Sequence, residues 1–199
     1  MITIKYYERD FKYSGGLNME IVNMVFSGSV KGNELDFDDI GEKLKGLDIN
    51  YNPMKFPGFI VRFKDPKITI SMFRSGKMVF TGLKDEEGMA VGMKKLQDVA
   101  MLRGLDVFNG ATSKLQNIVC TVDLNRELFL ARLSVTLGFE RVEFEPEQFP
   151  GLILRYDDPK VVFLMFGSGK IVCTGAKSRS EAERAIESLK ELLDDIEGM

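Results

Sequence analysis

"FPGFIVRFKDPKITISMFRSGKMVFTGLK" (residues 56–84) and "FPGLILRYDDPKVVFLMFGSGKIVCTGAK" (149–177) agree at 17 of 29 positions without a gap, 93 residues apart in a chain of 199. A segment written twice marks two copies of one structural unit. The duplication reaches upstream. "IVNMVFSGSV" (21–30) matches "LQNIVCTVDL" (115–124), which sets Asn23 opposite Asn117 and Val25 opposite Val119. Within each copy "DPK" and "SGK" separate three short runs rich in Val, Ile, Phe and Thr, so a three-strand meander is predicted. A helix closes each unit. In the first it covers roughly 85–103, with Met89, Met93, Leu96, Val99 and Leu102 at helical spacing. In the second it covers roughly 178–196, with Ala182, Ile186, Leu189, Leu193 and Ile196 in phase, and Ser178 with Glu181 fits a capping box. An earlier helix, "DFDDIGEKLKGL" (36–47), sets Phe37, Ile40, Leu44 and Leu47 on one face, and its counterpart falls in 126–137.

Alternate side chains of a strand share a face. One face of unit one therefore carries Ile21, Asn23 and Val25, then Lys67, Thr69, Ser71 and Phe73, then Lys77, Val79 and Thr81. The other carries Met24, Phe26, Ile68, Ile70, Met72, Met78 and Phe80. Unit two divides the same way. Leu115, Asn117, Val119, Lys160, Val162, Leu164, Phe166, Lys170, Val172 and Thr174 stand against Ile118, Cys120, Val161, Phe163, Met165, Ile171 and Cys173. With two helices per unit, the bulkier set is the helix-covered core. The first set is then an open sheet face, apolar at its centre and basic at its border. A face of that size has an occupant. Another sheet or subunit fits, and so does the minor groove of a duplex. Asn and Thr can address the acceptor edges of A·T pairs there, and Phe can wedge between base steps.

The net charge of −3 is unevenly spread. Segment 56–84 carries +5 and segment 149–177 carries +2, so the remainder carries −10. The duplicated stretch is a basic island in an acidic chain, and distribution rather than the sum marks an electrostatic footprint. With 44% hydrophobic and 29% charged residues the composition is that of a globular chain. No apolar run approaches the length of a transmembrane helix, and "MITIKYYERDFKYSGG" (1–16) lacks a signal-peptide core. Cys120 and Cys173 make no disulfide framework and point to a reducing compartment. Catalysis is disfavoured on three grounds. There is no histidine, the common general base and metal ligand. Both cysteines fall on the core parity, where a thiol is inert. "GSGK" (167–170) is not a phosphate loop, because the Walker pattern needs glycine where Leu164 stands. No enzymatic activity, cofactor or metal is expected.

The ordered set "NMV…FPG…DPK…MFRSGKMVFTG" and "QNIV…EPEQFPG…DPK…MFGSGKIVCTG" resembles the TATA-box-binding protein family in its compact archaeal form, over about residues 19–196. The resemblance implies an α+β saddle of two pseudo-symmetric repeats, 19–105 and 106–199, each a curved antiparallel sheet backed by two helices, with 1–18 as an unmatched extension. The family is itself the standard example of a minor-groove binder that inserts apolar wedges and kinks the duplex, so those features come with the resemblance. Carried over by position, the intercalating pairs are Phe56 with Phe73 and Phe149 with Phe166. Asn23, Asn117, Thr81 and Thr174 are the central polar contacts. Val25, Val79, Val119, Val172 and Leu164 are the apolar ones. Arg62, Arg155, Lys67, Lys77, Lys160, Lys170, Ser75 and Ser168 meet phosphates, with Lys84 and Lys177 as additions. Glu145 and Glu147 of the acidic loop before the second FPG meet transcription factor B. The implied function is a general transcription initiation factor that binds and bends an A·T-rich promoter and recruits transcription factor B, and through it RNA polymerase. The implied location is the cytoplasm of an archaeal-type cell, at the nucleoid, or the nucleus of a eukaryote.

Four departures from the family pattern bear on the strength of the first half of that face and not on the family resemblance; the alternative reading is a divergent regulatory paralogue or protein-interaction module that keeps the saddle with weak or altered DNA binding. Ser71 stands where leucine is usual. Met54 replaces a basic residue, Arg74 replaces a small one, and residues 1–18 match nothing in the pattern.

Overall fold

The computed structural model describes residues 19–30, 34–138 and 140–197. Ten strands form one antiparallel sheet in the order β2-β3-β4-β5-β1-β6-β10-β9-β8-β7. The first half comprises β1 (Glu20–Ser29), α1 (Phe37–Lys43), β2 (Asp48–Asn52), β3 (Phe56–Lys64), β4 (Lys67–Met72), β5 (Lys77–Leu83) and α2 (Glu86–Leu102). The second repeats that order: β6 (Thr112–Asp123), α3 (Leu130–Leu137), β7 (Val142–Glu143), β8 (Gly151–Asp157), β9 (Lys160–Phe166), β10 (Lys170–Ala176) and α4 (Arg179–Glu197).

The halves join through β1 and β6. Met24 faces Ile118, and the pairs that flank it come in related twos: Asn23 with Val119 and Val25 with Asn117, Ile21 with Cys120 and Phe26 with Leu115, Glu20 with Thr121 and Ser27 with Lys114. Under the sequence repeat each member of a two converts into the other, so a pseudo-twofold axis runs through the Met24–Ile118 pair. The three-strand meanders are present in both halves, with cis Asp65–Pro66 and Asp158–Pro159 in the "DPK" turns. The short edge strands β2 and β7 extend each sheet beyond the predicted meander.

Among the described residues the helices cover one face only. Every residue assigned to the core by strand parity is buried there, from Met24 and Phe26 to Ile171 and Cys173. Two residues lie on the opposite side from the one predicted. Ile21 is buried, and Leu115 packs against the core. The cause is a pair of related β-bulges: Val22 is an extra residue in β1 and Gln116 an extra residue in β6. One inserted residue reverses the alternation beyond it.

Helix α1 ends at Lys43, short of the predicted 47. Gly46 has φ +94°, a left-handed conformation that helices terminate in. Its start is set by Asp36, whose carboxylate accepts the Asp38 and Asp39 amides at 3.0 and 3.3 Å. In α2 the inward residues are Met89, Met93, Leu96 and Ala100. Leu102 is 87% exposed, because the spacing that includes Val99 and Leu102 drifts off the buried stripe. The predicted stripe of α4 is buried throughout. Ser178 Oγ accepts the Glu181 amide at 3.1 Å, while the Glu181 carboxylate accepts the amide of Lys177, one residue earlier than a standard capping box.

Candidate nucleic-acid interface

The uncovered face is built from rows of side chains that run across the strands. Residues paired across antiparallel strands share a face. One row runs Ser27, Val79, Ser71, Ile60, Asn50 through β1, β5, β4, β3 and β2. Its equivalent runs Thr121, Val172, Leu164, Ile153, Glu143 through β6, β10, β9, β8 and β7. The next row holds Val119 between Asn23 and Thr174 in one half, and Thr69 between Thr81 and Arg62 in the other. The centre is half-buried and the border exposed: Lys67, Lys77, Lys160 and Lys170 open their strands, and Ser75 and Ser168 stand in the "SGK" turns. Ile60, Ile153, Ser27 and Thr121 belong to this face and were missing from the sequence-derived set. Parity through "FIVRF" would have given Ile60 alongside Arg62.

The two asparagines are fixed by the same device in both halves. Gly82 and Gly175 sit at irregularities of β5 and β10 with φ of +90° and +114°, which glycine alone adopts without strain. Each bulge frees a backbone amide. Asn23 Oδ1 accepts that of Gly82 at 2.8 Å, and Asn117 Oδ1 accepts that of Gly175 at 2.7 Å. With the oxygen engaged, Nδ2 is the carboxamide's remaining hydrogen-bonding group, and it is a donor. Asn117 Nδ2 also reaches Thr174 Oγ1 at 3.1 Å. The face therefore presents oriented donors within an apolar field.

At each end two phenylalanines meet edge to face. Phe56 and Phe73 have ring centroids 5.8 Å apart at 66°, and Phe149 and Phe166 are 5.8 Å apart at 65°. The "FPG" glycines make this possible by close approach rather than by turning the chain. A Cβ on Gly151 would stand 2.7 Å from Phe149 Cε1 and 3.1 Å from Phe166 Cε1, and Gly58 lies equally tight beneath Phe56. The "SGK" glycines do serve turns, with φ of +77° at Gly76 and +85° at Gly169.

The border cations are not all free. Arg155 Nη2 lies 2.7 Å from Glu143, and Arg62 lies 3.5 Å from Asp48, so an edge-strand carboxylate holds each arginine. Lys84 pairs with Glu20 at 2.7 Å, and its ammonium holds the Glu20 carboxyl below the usual glutamate range. Arg74 turns away from the opening. Its guanidinium reaches Tyr51 Oη at 3.3 Å and lies 5.1 Å over the Phe37 ring, and the Tyr51 contact raises its pKa. Met54 is 94% exposed beside Phe56. In the equivalent loop of the second half Glu145 and Glu147 are exposed, while the Glu145 carbonyl accepts the Gln148 and Phe149 amides at 2.9 Å.

Cys120 and Cys173 face each other across β6 and β10, both buried. The hydrogen bond between the sulfurs, together with burial, pushes the Cys173 thiol far above its ordinary range, away from nucleophilic use. Among the described residues no group of three or more Cys, Asp or Glu side chains is placed to hold a metal ion, and no helix is long and apolar enough to cross a membrane.

The family model for transcription factor TFIID, or TATA-binding protein, matches residues 18–100 and 112–196. The chain belongs to the TATA-box-binding protein family. The TATA-box-binding protein of Thermoplasma volcanium is 43% identical over 176 residues, 88% of this chain and 94% of its own length. That of Archaeoglobus fulgidus is 42% identical over 175 residues, 88% of this chain and 94% of its own. Among solved structures, that of Methanococcus jannaschii TBP superposes with a TM-score of 0.76 at 42% identity, covering 91% of this chain and 99% of that one. The fold is accordingly the α+β saddle of the TATA-box-binding proteins, with the uncovered face as its underside, and the chain is a transcription factor of that type.

Proposed function

We propose that the uncovered face binds A·T-rich duplex through the minor groove and bends it by inserting Phe56 with Phe73 at one end and Phe149 with Phe166 at the other. The observation that carries this reading is the pair of clamped asparagines. With their oxygens held by the backbone, their Nδ2 donors match the adenine N3 and thymine O2 acceptors, the groups that A·T and T·A pairs share in the minor groove. Val25, Val79, Val119, Val172 and Leu164 supply the dry contact between them, with Thr81 and Thr174 beside the asparagines. Lys67, Lys77, Lys160, Lys170, Ser75 and Ser168 reach phosphates at the border. Arg62 and Arg155 join them by exchanging an edge carboxylate for a phosphate. Unstacking a base step costs a few kcal/mol, offset by the surface that the bent duplex wraps, as in the family that is the standard example of this exchange.

The exposed Glu145 and Glu147 form an acidic loop suited to a basic partner surface, and we assign it to transcription factor B, with RNA polymerase following indirectly. The reaction is equilibrium binding without bond chemistry. Energy transfer between fluorophores at the two ends of a TATA fragment tests the bending step. Transfer should rise on binding, and Phe149→Ala with Phe166→Ala should remove the rise while cooperative melting persists. Tight binding with unchanged transfer would reject the bending mechanism.

A further inference from the structure

Helices α1 and α3 are copies of one another, and their outward residues differ in kind. The residue ahead of α1 is Asp36, whose carboxylate accepts the first amides of the helix; the residue ahead of α3 is Phe129, which makes no side-chain cap. At the same offset of 93, the exposed acids Asp38 and Glu42 of α1 become the exposed Ala131 and Val135 of α3. Phe129 is 76% exposed and Val135 67%. Leu128, Phe129, Leu130, Ala131 and Phe144 line a hollow of about 650 Å³ at the start of α3. Helix α1 shows that the fold needs no apolar side chains at these positions, so the hollow answers to an occupant.

The rim of the hollow is acidic. Glu127 precedes Leu128, Glu145 and Glu147 follow Phe144, and all three are exposed. Arg132, which also lines the hollow, donates to the Ile196 carbonyl at 3.3 Å.

Residues 1–18 lie outside the described residues, and the match to the family begins at residue 18. Within that additional segment, residues 2–7 read "ITIKYY". Ile2, Ile4, Tyr6 and Tyr7 supply apolar and aromatic side chains, Lys5 is the only charge among them, and residues 1–16 carry net +1 against the acidic rim. The reach is sufficient. Glu20 pairs with Thr121 in the sheet, and Phe129 follows Thr121 by eight residues. Glu20 and Phe129 are therefore no more than about 34 Å apart, eight extended residues and one strand spacing, whereas the chain from Tyr7 to Glu20 can span about 43 Å. Tethering also holds the segment at an effective concentration of the order of millimolar, which favours it over a free partner of the same chemistry.

We propose that residues 2–7 of the chain itself fill the hollow at the start of α3, with Lys5 beside the acidic rim, and so obstruct a basic partner of the Glu145–Glu147 loop. The obstruction rests on the assignment of that loop to transcription factor B; the docking stands apart from it.

The chain has no tryptophan, so Phe129→Trp in the full chain gives a single reporter in the hollow. Its emission should be blue-shifted and shielded from acrylamide at every protein concentration. Adding Ile4→Asp with Tyr6→Asp should red-shift the emission and raise the quenching constant several-fold. In the chain that keeps Phe129, the same two substitutions should speed amide exchange at Ala131 and Arg132, whose N–H groups have no partner within the helix. They should also tighten the ternary complex with transcription factor B several-fold in a gel shift. An exposed reporter in the full chain, shielding that the substitutions leave intact, or shielding that grows with protein concentration, as a second copy would produce, would overturn the docking. Shielding that appears only on adding transcription factor B would give the hollow to that partner and overturn it as well. Docking with unchanged affinity for transcription factor B would overturn the obstruction. Absence of a ternary complex with either chain would remove the transcription factor B assignment, and the fluorescence and exchange would still decide the docking.

Discussion

Replacing Asn117 by aspartate separates the folding role of the clamp from its recognition role, because the two side chains differ only in the group turned outward. In the fold Asn117 acts as an acceptor, taking the Gly175 amide at 2.7 Å. A carboxylate of the same shape accepts that amide equally well, and its second oxygen can accept the Thr174 hydroxyl in place of the 3.1 Å contact from Nδ2. A charge-assisted bond is stronger than a neutral one, while partial burial disfavours the charge. These oppose each other, and the net value of one hydrogen bond is about 1 kcal/mol. Asn117→Asp should thus change stability by no more than about 1 kcal/mol, or roughly 2–4 °C in Tm for a chain of this size.

Recognition should respond very differently. The outward donor becomes an acceptor facing the acceptor atoms of A·T pairs. A good base-edge contact contributes about 1–3 kcal/mol, and the displaced contact is replaced by repulsion. Kd should rise by at least tenfold to a hundredfold, since about 1.4 kcal/mol is tenfold. Fluorescence anisotropy at fixed salt reads the binding, and circular dichroism reads the melting. Native-strength binding by Asn117→Asp would refute the claim that the carboxamide donor meets the bases. A melting loss well beyond about 4 °C would refute the claim that the side chain serves the fold as an acceptor.

Ser71→Leu should tighten binding by on the order of 1 kcal/mol through a slower off-rate. It restores the aliphatic side chain that Leu164 presents in the equivalent row, and only part of the roughly 1.5–3 kcal/mol of leucine burial converts to affinity. The salt slope should not move, since it counts phosphates; weaker binding would show that the hydroxyl makes a specific contact. Gly151→Ala should displace the Phe149 ring, given the 2.7 Å approach of a Cβ to it, and reduce bending in the energy-transfer assay more than it reduces stability. Unaltered bending would show that the ring position beneath the loop is immaterial. Glu145→Arg with Glu147→Arg should abolish the ternary complex with transcription factor B in a gel-shift assay and leave the binary complex intact; equal loss of both would locate the damage in the loop fold.

The residues themselves determined a good deal of this protein. Two copies of a meander, the turns at "DPK" and "SGK", and the face of every residue in β4 and β9, and in β5 and β10 as far as Thr81 and Thr174, followed from the duplication and from the alternation of Cβ atoms; past the bulges at Gly82 and Gly175 the alternation reverses, and Leu83 and Ala176 are buried. That alternation is a local property of an extended backbone, so the chain carries it without reference to its partners. The pairing of Phe56 with Phe73 and of Phe149 with Phe166 came with the family resemblance, and in the structure each pair meets edge to face across a single hairpin.

What the tertiary structure decided lies where two distant segments meet. The bulges at Val22 and Gln116 arise in the pairing of β1 with β6, and they carried Ile21 and Leu115 to the core against their sequence parity. The edge strands β2 and β7 are too short to show a period, and they supply Asp48 and Glu143, the carboxylates that hold Arg62 and Arg155. Asn23 could be placed on the face from sequence. Its orientation could not, because the amide that fixes it belongs to Gly82, 59 residues away. For the same reason only the sheet brings Glu20 and Lys114, of opposite charge, to equivalent positions on either side of the pseudo-twofold axis through Met24 and Ile118.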